Sequence, residues 1–95
     1  MVVKVWSETR NEMRDIILNK DNEVIVLKVL KMLTPKEEKV LKLRYGLGNN
    51  EKHTLQKIGE MFNVTRNRIW QIEIKALRKL SHPKRRKLLE SFIEF

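Results

Sequence analysis

A chain of 95 residues has room for one domain and little more, and 41% hydrophobic with 35% charged residues is a globular balance that excludes a wholly disordered chain. The longest apolar run, Val24 to Leu27, is far too short to cross a bilayer. The net charge is +9, and most of it is local: between Thr65 and Lys87 nine Lys and Arg residues face Glu73 alone, a local charge of +8, which is the footprint of a polyanion binder or, more blandly, of a solvated cationic face.

Three Gly and two Pro interrupt long stretches rich in Leu, Lys, Glu, Ile and Arg. The expectation is an all-α fold, a small bundle of four to five helices containing a helix-turn-helix. In chain order, Ser7 is placed to cap a helix through Leu18 that turns Met13, Ile16 and Ile17 to one side. Asn19 to Asn22 breaks it. Residues 1–22 are set apart as an N-terminal segment without an assigned role, and 23–95 as the main domain. From Glu23 to Leu33, Val24, Leu27, Val29, Leu30 and Leu33 approximate a helical stripe.

Thr34-Pro35-Lys36-Glu37 is a helix start: Thr34 caps, Pro35 suits the first turn, and Glu37 completes a capping box. That helix runs to about Tyr45 with Val40, Leu41 and Leu43 inward, and Gly46 to Asn50 ends it. Thr54 caps a helix over Leu55 to Phe62, Asn63-Val64 makes a short turn, and Thr65 caps a longer helix to about Leu80. Ser81-His82-Pro83 stops it, and Lys84 to Phe92 reads as a last helix.

The pair of helices around Asn63 meets the demands of a helix-turn-helix. Gly59 supplies a small residue where the second helix must cross closely, since an exposed mid-helix Gly costs about 1 kcal/mol relative to Ala. Asn63 is among the few non-Gly residues that tolerate the left-handed conformation. Ile58, Phe62, Val64, Ile69 and Ile72 are the apolar residues that join the two helices. On a wheel of about 100° per residue, Ile69, Ile72, Ala76 and Leu80 form one arc, and Asn67, Trp70, Gln71, Ile74 and Arg78 lie opposite. The outer set suits base edges: Arg for guanine, Asn or Gln for adenine, apolar surface for the thymine methyl. Arg68, Lys75 and Lys79 flank it, where phosphates lie.

These residues resemble region 4 (4.1 and 4.2) of bacterial primary, or housekeeping, RNA polymerase sigma factors. The resemblance rests on Leu33 to Leu41, Leu43-Arg44-Tyr45-Gly46-Leu47, His53-Thr54-Leu55, Ile58-Gly59, Phe62 to Arg66, Gln71-Ile72-Glu73, Lys75 to Leu80 and His82-Pro83. It covers about residues 30–95. It implies sequence-specific recognition of the −35 promoter element, consensus TTGACA, and docking on the flap of the polymerase β subunit. Anti-sigma factors or activators are further implied partners. By the same resemblance, Arg66 and Gln71 are base readers, with Asn67 and Trp70 on the same face. Lys36, Arg44, Thr54 and the Leu55 N–H are phosphate contacts, joined by the flanking Arg68 and Lys75. The last of the helical contacts fits the affinity of a helix N-terminus for anions. Arg78 and Lys79, with Lys84 and Arg86, form a cationic end that meets activators or phosphates.

Three positions depart from the family: Asn67 stands where Glu is usual, and Trp70 and Ser81 where Arg is usual. Asn both donates and accepts, so preference at a cytosine step is loosened. For Trp70 three readings stay open: contact with a thymine methyl, cover for a partner surface, or partial burial against a neighbouring helix. No segment resembles the parts of sigma factors that melt and read the −10 element, so the expectation is an excised domain or a short protein.

Two other classes compete. A protein-interaction module, bound by an anti-sigma factor or activator, would use the Val24 to Leu33 stretch with Leu88, Leu89, Phe92, Ile93 and Phe95 as a groove, its DNA reading weakened by Asn67 and Trp70. An enzyme is not expected: His53 and His82 are the only histidines, and there are no paired carboxylates, no Ser-His-Asp set and no phosphate loop. No cofactor, metal or small-molecule substrate is implied. Lack of Cys and of a signal-peptide core points to the cytoplasm.

Overall fold

A computed structural model describes residues 13–82. Those residues are helical at 13–18 (α1), make a 3-10 turn at Lys20–Asn22, and continue through α2 (Glu23–Leu30), α3 (Pro35–Tyr45), α4 (Leu55–Phe62) and α5 (Arg66–Leu80). No strand occurs among them. The fold is the expected all-α bundle with a helix-turn-helix. The helix expected over Lys84 to Phe92, and the caps and apolar residues named on either side of 13–82, lie outside the described residues.

Local chemistry sets the helix ends. Thr34 Oγ1 accepts from the Glu37 N–H at 3.3 Å and the Thr34 N–H donates to Glu37 Oε1 at 3.1 Å, so the capping box forms with Pro35 in the first turn. At the other end of α3, Gly46 takes φ 67° and the Leu47 N–H returns to the Lys42 carbonyl at 2.9 Å, which satisfies an orphan carbonyl and drops Leu47 into the core.

Two apolar clusters form. The first joins Met13, Ile16 and Ile17 of α1 with Val26, Val29 and Leu30 of α2, Leu33, Leu41 and Leu47, and Ala76, Leu77 and Leu80 of α5. The second joins Val40 and Leu43 of α3, Leu55 and Ile58 of α4, and Ile69 and Ile72 of α5, with Phe62 and Val64 packed against it. Helix α5 therefore belongs to both, its first half to one and its second half to the other. The described part of the 1–22 segment shares a core with the residues that follow it.

One expected stripe is out of phase. Val24 points outward at 67% exposure, while Val26 is buried with Val29, Leu30 and Leu33. The i, i+3, i+4, i+7 pattern starts at Val26, and four successive apolar residues allow more than one phase. Because Val26, Val29, Leu30 and Leu33 fill the core, Val24 and Met32 are the strongly exposed apolar residues in the described half of the expected docking groove; Leu88, Leu89, Phe92, Ile93 and Phe95 lie outside the described residues.

The α4–α5 crossing has little slack. A Cβ on Gly59 would stand 2.8 Å from the Val64 carbonyl oxygen and 3.3 Å from the Thr65 carbonyl carbon. These are backbone atoms, so relief requires moving α5. Helix propensity alone favours Gly59→Ala by about 1 kcal/mol. The crossing reverses the sign, and the substitution is expected to destabilise by about 1–3 kcal/mol. Urea unfolding checks this; a gain in stability would show that the approach is not tight.

Candidate nucleic-acid interface

The turn between α4 and α5 is fixed by backbone. Asn63 takes φ 58° and ψ 44°, and the Val64 N–H donates to the Gly59 carbonyl at 2.9 Å. Thr54 Oγ1 accepts from the Lys57 N–H at 3.1 Å, and Thr65 Oγ1 accepts from the Arg68 N–H at 3.2 Å. Both helices thus begin on a threonine cap at the same end of the motif.

The outer face of α5 matches the wheel. Arg66, Asn67, Arg68, Trp70, Gln71, Lys75 and Arg78 are exposed, and Ile74 is half-buried. Leu55, Arg66, Asn67 and Trp70 line one shallow depression between the start of α4 and the first turn of α5. Lys36 is exposed in the first turn of α3. The Thr54 oxygen serves the cap, which leaves its hydroxyl proton to donate outward. Leu55 buries its side chain, while its N–H, at the first position of α4, stands outside the intrahelical ladder.

Two expected cationic sites are drawn inward. The Arg44 Nε lies 3.5 Å from Glu73 Oε2, and its Nη1 donates to the His53 carbonyl at 3.3 Å. Lys79 Nζ lies 2.9 Å from Glu37 Oε1, so it ties the C-terminal half of α5 to the capping box of α3. Burial alone would raise the Glu37 pKa, but the Lys79 ammonium and hydrogen bonds from Thr34 outweigh it and hold the carboxyl below its usual value. Ser81 is the C-cap of α5 and its hydroxyl is buried. Lys84 and Arg86 lie outside the described residues.

The residue that sequence reasoning missed is Glu73. Its side chain is 1% exposed and sits on α5 between the two clusters. The Tyr45 hydroxyl donates to Glu73 Oε2 at 2.7 Å, Arg14 Nη2 of α1 is 3.9 Å from Oε1, and Arg44 is on Oε2. Burial first, then the bond to Glu73 and its negative charge, push the Tyr45 phenol far above its ordinary pKa, so it remains a donor. On the wheel Glu73 falls beside Leu80, at the margin of the apolar arc, and that was the available signal. Turning this carboxylate inward leaves α5 with no acidic side chain on its outer face. No group of three or more His, Cys, Asp or Glu suited to a metal occurs among the described residues, and no described helix is long and apolar enough to cross a membrane.

The family model described as sigma-70, region 4 matches residues 29–82. The chain is 56% identical over 69 residues to the RNA polymerase sigma factor SigA of Clostridium acetobutylicum, covering 73% of this chain and 18% of that protein. It is 51% identical over 70 residues to the sigma factor RpoD of Neisseria gonorrhoeae (74% and 11%), and 58% identical over 66 residues to SigA of Nostoc sp. (70% and 17%). The chain thus spans less than a fifth of the length of these relatives.

Tyr45→Phe keeps the ring and removes the hydroxyl that Glu73 accepts from. A hydrogen bond to a charged buried group contributes about 1.5–3 kcal/mol, and a loss of that size is expected in urea unfolding. An unchanged midpoint would show that the two arginines alone satisfy the carboxylate.

Proposed function

The chain belongs to the sigma-70 region 4 family, and on that premise we propose that it recognises the −35 element of bacterial promoters through α5, as the C-terminal domain of a primary sigma factor. One observation carries the reading. The exposed side of α5 presents Arg66, Asn67, Trp70 and Gln71 together, among cations and with its only carboxylate turned inward. An α-helix fits the major groove of B-DNA, where such side chains meet base edges.

In this reading Arg66 donates to a guanine edge, Asn67 and Gln71 meet bases on either side, and Trp70 supplies apolar surface. Lys36, the Thr54 hydroxyl, the Leu55 N–H, Arg68 and Lys75 neutralise or bond phosphates and set the register. Arg44 serves from behind, holding α5 through Glu73. Docking on the polymerase β flap, and contact with an activator or anti-sigma factor, are supported by family membership; Arg78, with Lys79, Lys84 and Arg86, is the set of cations we assign to activators or flanking phosphate. The protein acts as a binding factor and not as an enzyme, and it works where the nucleoid is, in the cytoplasm.

The test is fluorescence anisotropy with a TTGACA duplex and a scrambled duplex across a salt series. Tighter binding to TTGACA is expected, with both affinities falling steeply as salt rises. Arg66→Ala is expected to cost about 1–3 kcal/mol on TTGACA and little on the scrambled duplex. Equal affinity of the wild type for the two duplexes would overturn the promoter reading, and equal losses from Arg66→Ala on both would overturn the base-reading role.

A further inference from the structure

We infer that Trp70 reads the 5-methyl group of a thymine, and that it is a specificity-determining residue. The inference rests on the promoter reading above. It begins from an indole that is 48% exposed. Of the large hydrophobic side chains exposed among the described residues, Leu18, Val24, Met32 and Met61 lie elsewhere, and Trp70 alone is on α5. An apolar body of this size in the middle of a cationic helix face is unfavourable in water and gains only when something apolar covers it.

Its surroundings select the cover. Trp70 shares a depression with Leu55, Arg66 and Asn67. Arg66 and Asn67 are one turn back on the same face of the helix. The depression thus sets the indole beside a guanidinium and an amide that donate hydrogen bonds. In the major groove a thymine edge carries the matching pattern, the O4 acceptor next to the C5 methyl, and no other base presents a methyl there. A protein partner would need a wider apolar patch, whereas here the exposed neighbours Arg66, Asn67 and Gln71 are all polar. Ile74, one turn further along and half-buried, continues the apolar line on the same side.

The experiment replaces each thymine of the TTGACA duplex, on both strands, with deoxyuridine in turn, which removes the methyl and leaves O4. Affinities are measured by anisotropy for the wild type, Trp70→Ala and Trp70→Leu, with helicity checked by circular dichroism. At one position the wild type is expected to lose about 4-fold, the equivalent of one buried methyl-sized group. Trp70→Ala is expected to bind the thymine and deoxyuridine duplexes alike, and Trp70→Leu to keep part of the difference. A wild type that prefers TTGACA to the scrambled duplex yet ignores every deoxyuridine overturns this inference and leaves the promoter reading standing. So does a methyl effect that persists unchanged in Trp70→Ala, which would assign it to another residue. No preference for TTGACA over the scrambled duplex overturns both.

Discussion

The close approach of α4 to the start of α5 governs the rest of the molecule. With only hydrogen on Gly59, the Val64 carbonyl comes to where a Cβ would be 2.8 Å away, and Asn63 in the left-handed region turns the chain sharply enough to use that space. The direction of α5 follows from these few atoms. Its inner side is then divided between two apolar clusters, so α5 is held along most of its length and its outer side faces solvent as a rigid surface. Specific reading of a groove needs this rigidity, because base contacts depend on side chains held on a scaffold that does not yield.

Electrostatics add a second constraint at the same place. A carboxylate at 1% exposure is costly unless it is bonded, and Glu73 is met by a phenol from α3 and arginines from α1 and α3. Those contacts tie two helices, α1 and α3, to the middle of α5. They also divide the charges of α5 by side, with its one carboxylate inside and Arg66, Arg68, Lys75 and Arg78 outside. The Lys79–Glu37 pair repeats the device in the last turn of α5. A polyanion approaching this helix therefore meets cations without a competing acid.

Much of this was legible in the sequence because it is local. Thr34 with Glu37, Thr54, and Thr65 cap within three residues of themselves, and Gly59 and Asn63 declare a tight crossing by residue type alone. The outer face of α5 followed from a single period. What was not legible depends on distant partners. Glu73 is 28 residues from Tyr45 and further from Arg14, so its place at the margin of the apolar arc hints at burial but nothing near it in sequence announces its partners. The same network includes Arg44, whose contact with Glu73 is comparably distant in sequence. The phase of α2 was ambiguous because Val24, Ile25, Val26 and Leu27 are all apolar, and only packing against α1 and α5 selects Val26 over Val24.

The measurement that bears most directly on the exposed face of α5 as the reading surface is a residue-resolved NMR titration of the amide-labelled protein with a TTGACA duplex. The account predicts that the largest amide shifts fall on residues 54–55 and 65–71, with α1 and α2 nearly unmoved. Shifts concentrated on α1 and α2, with the first turns of α5 unchanged, would contradict it.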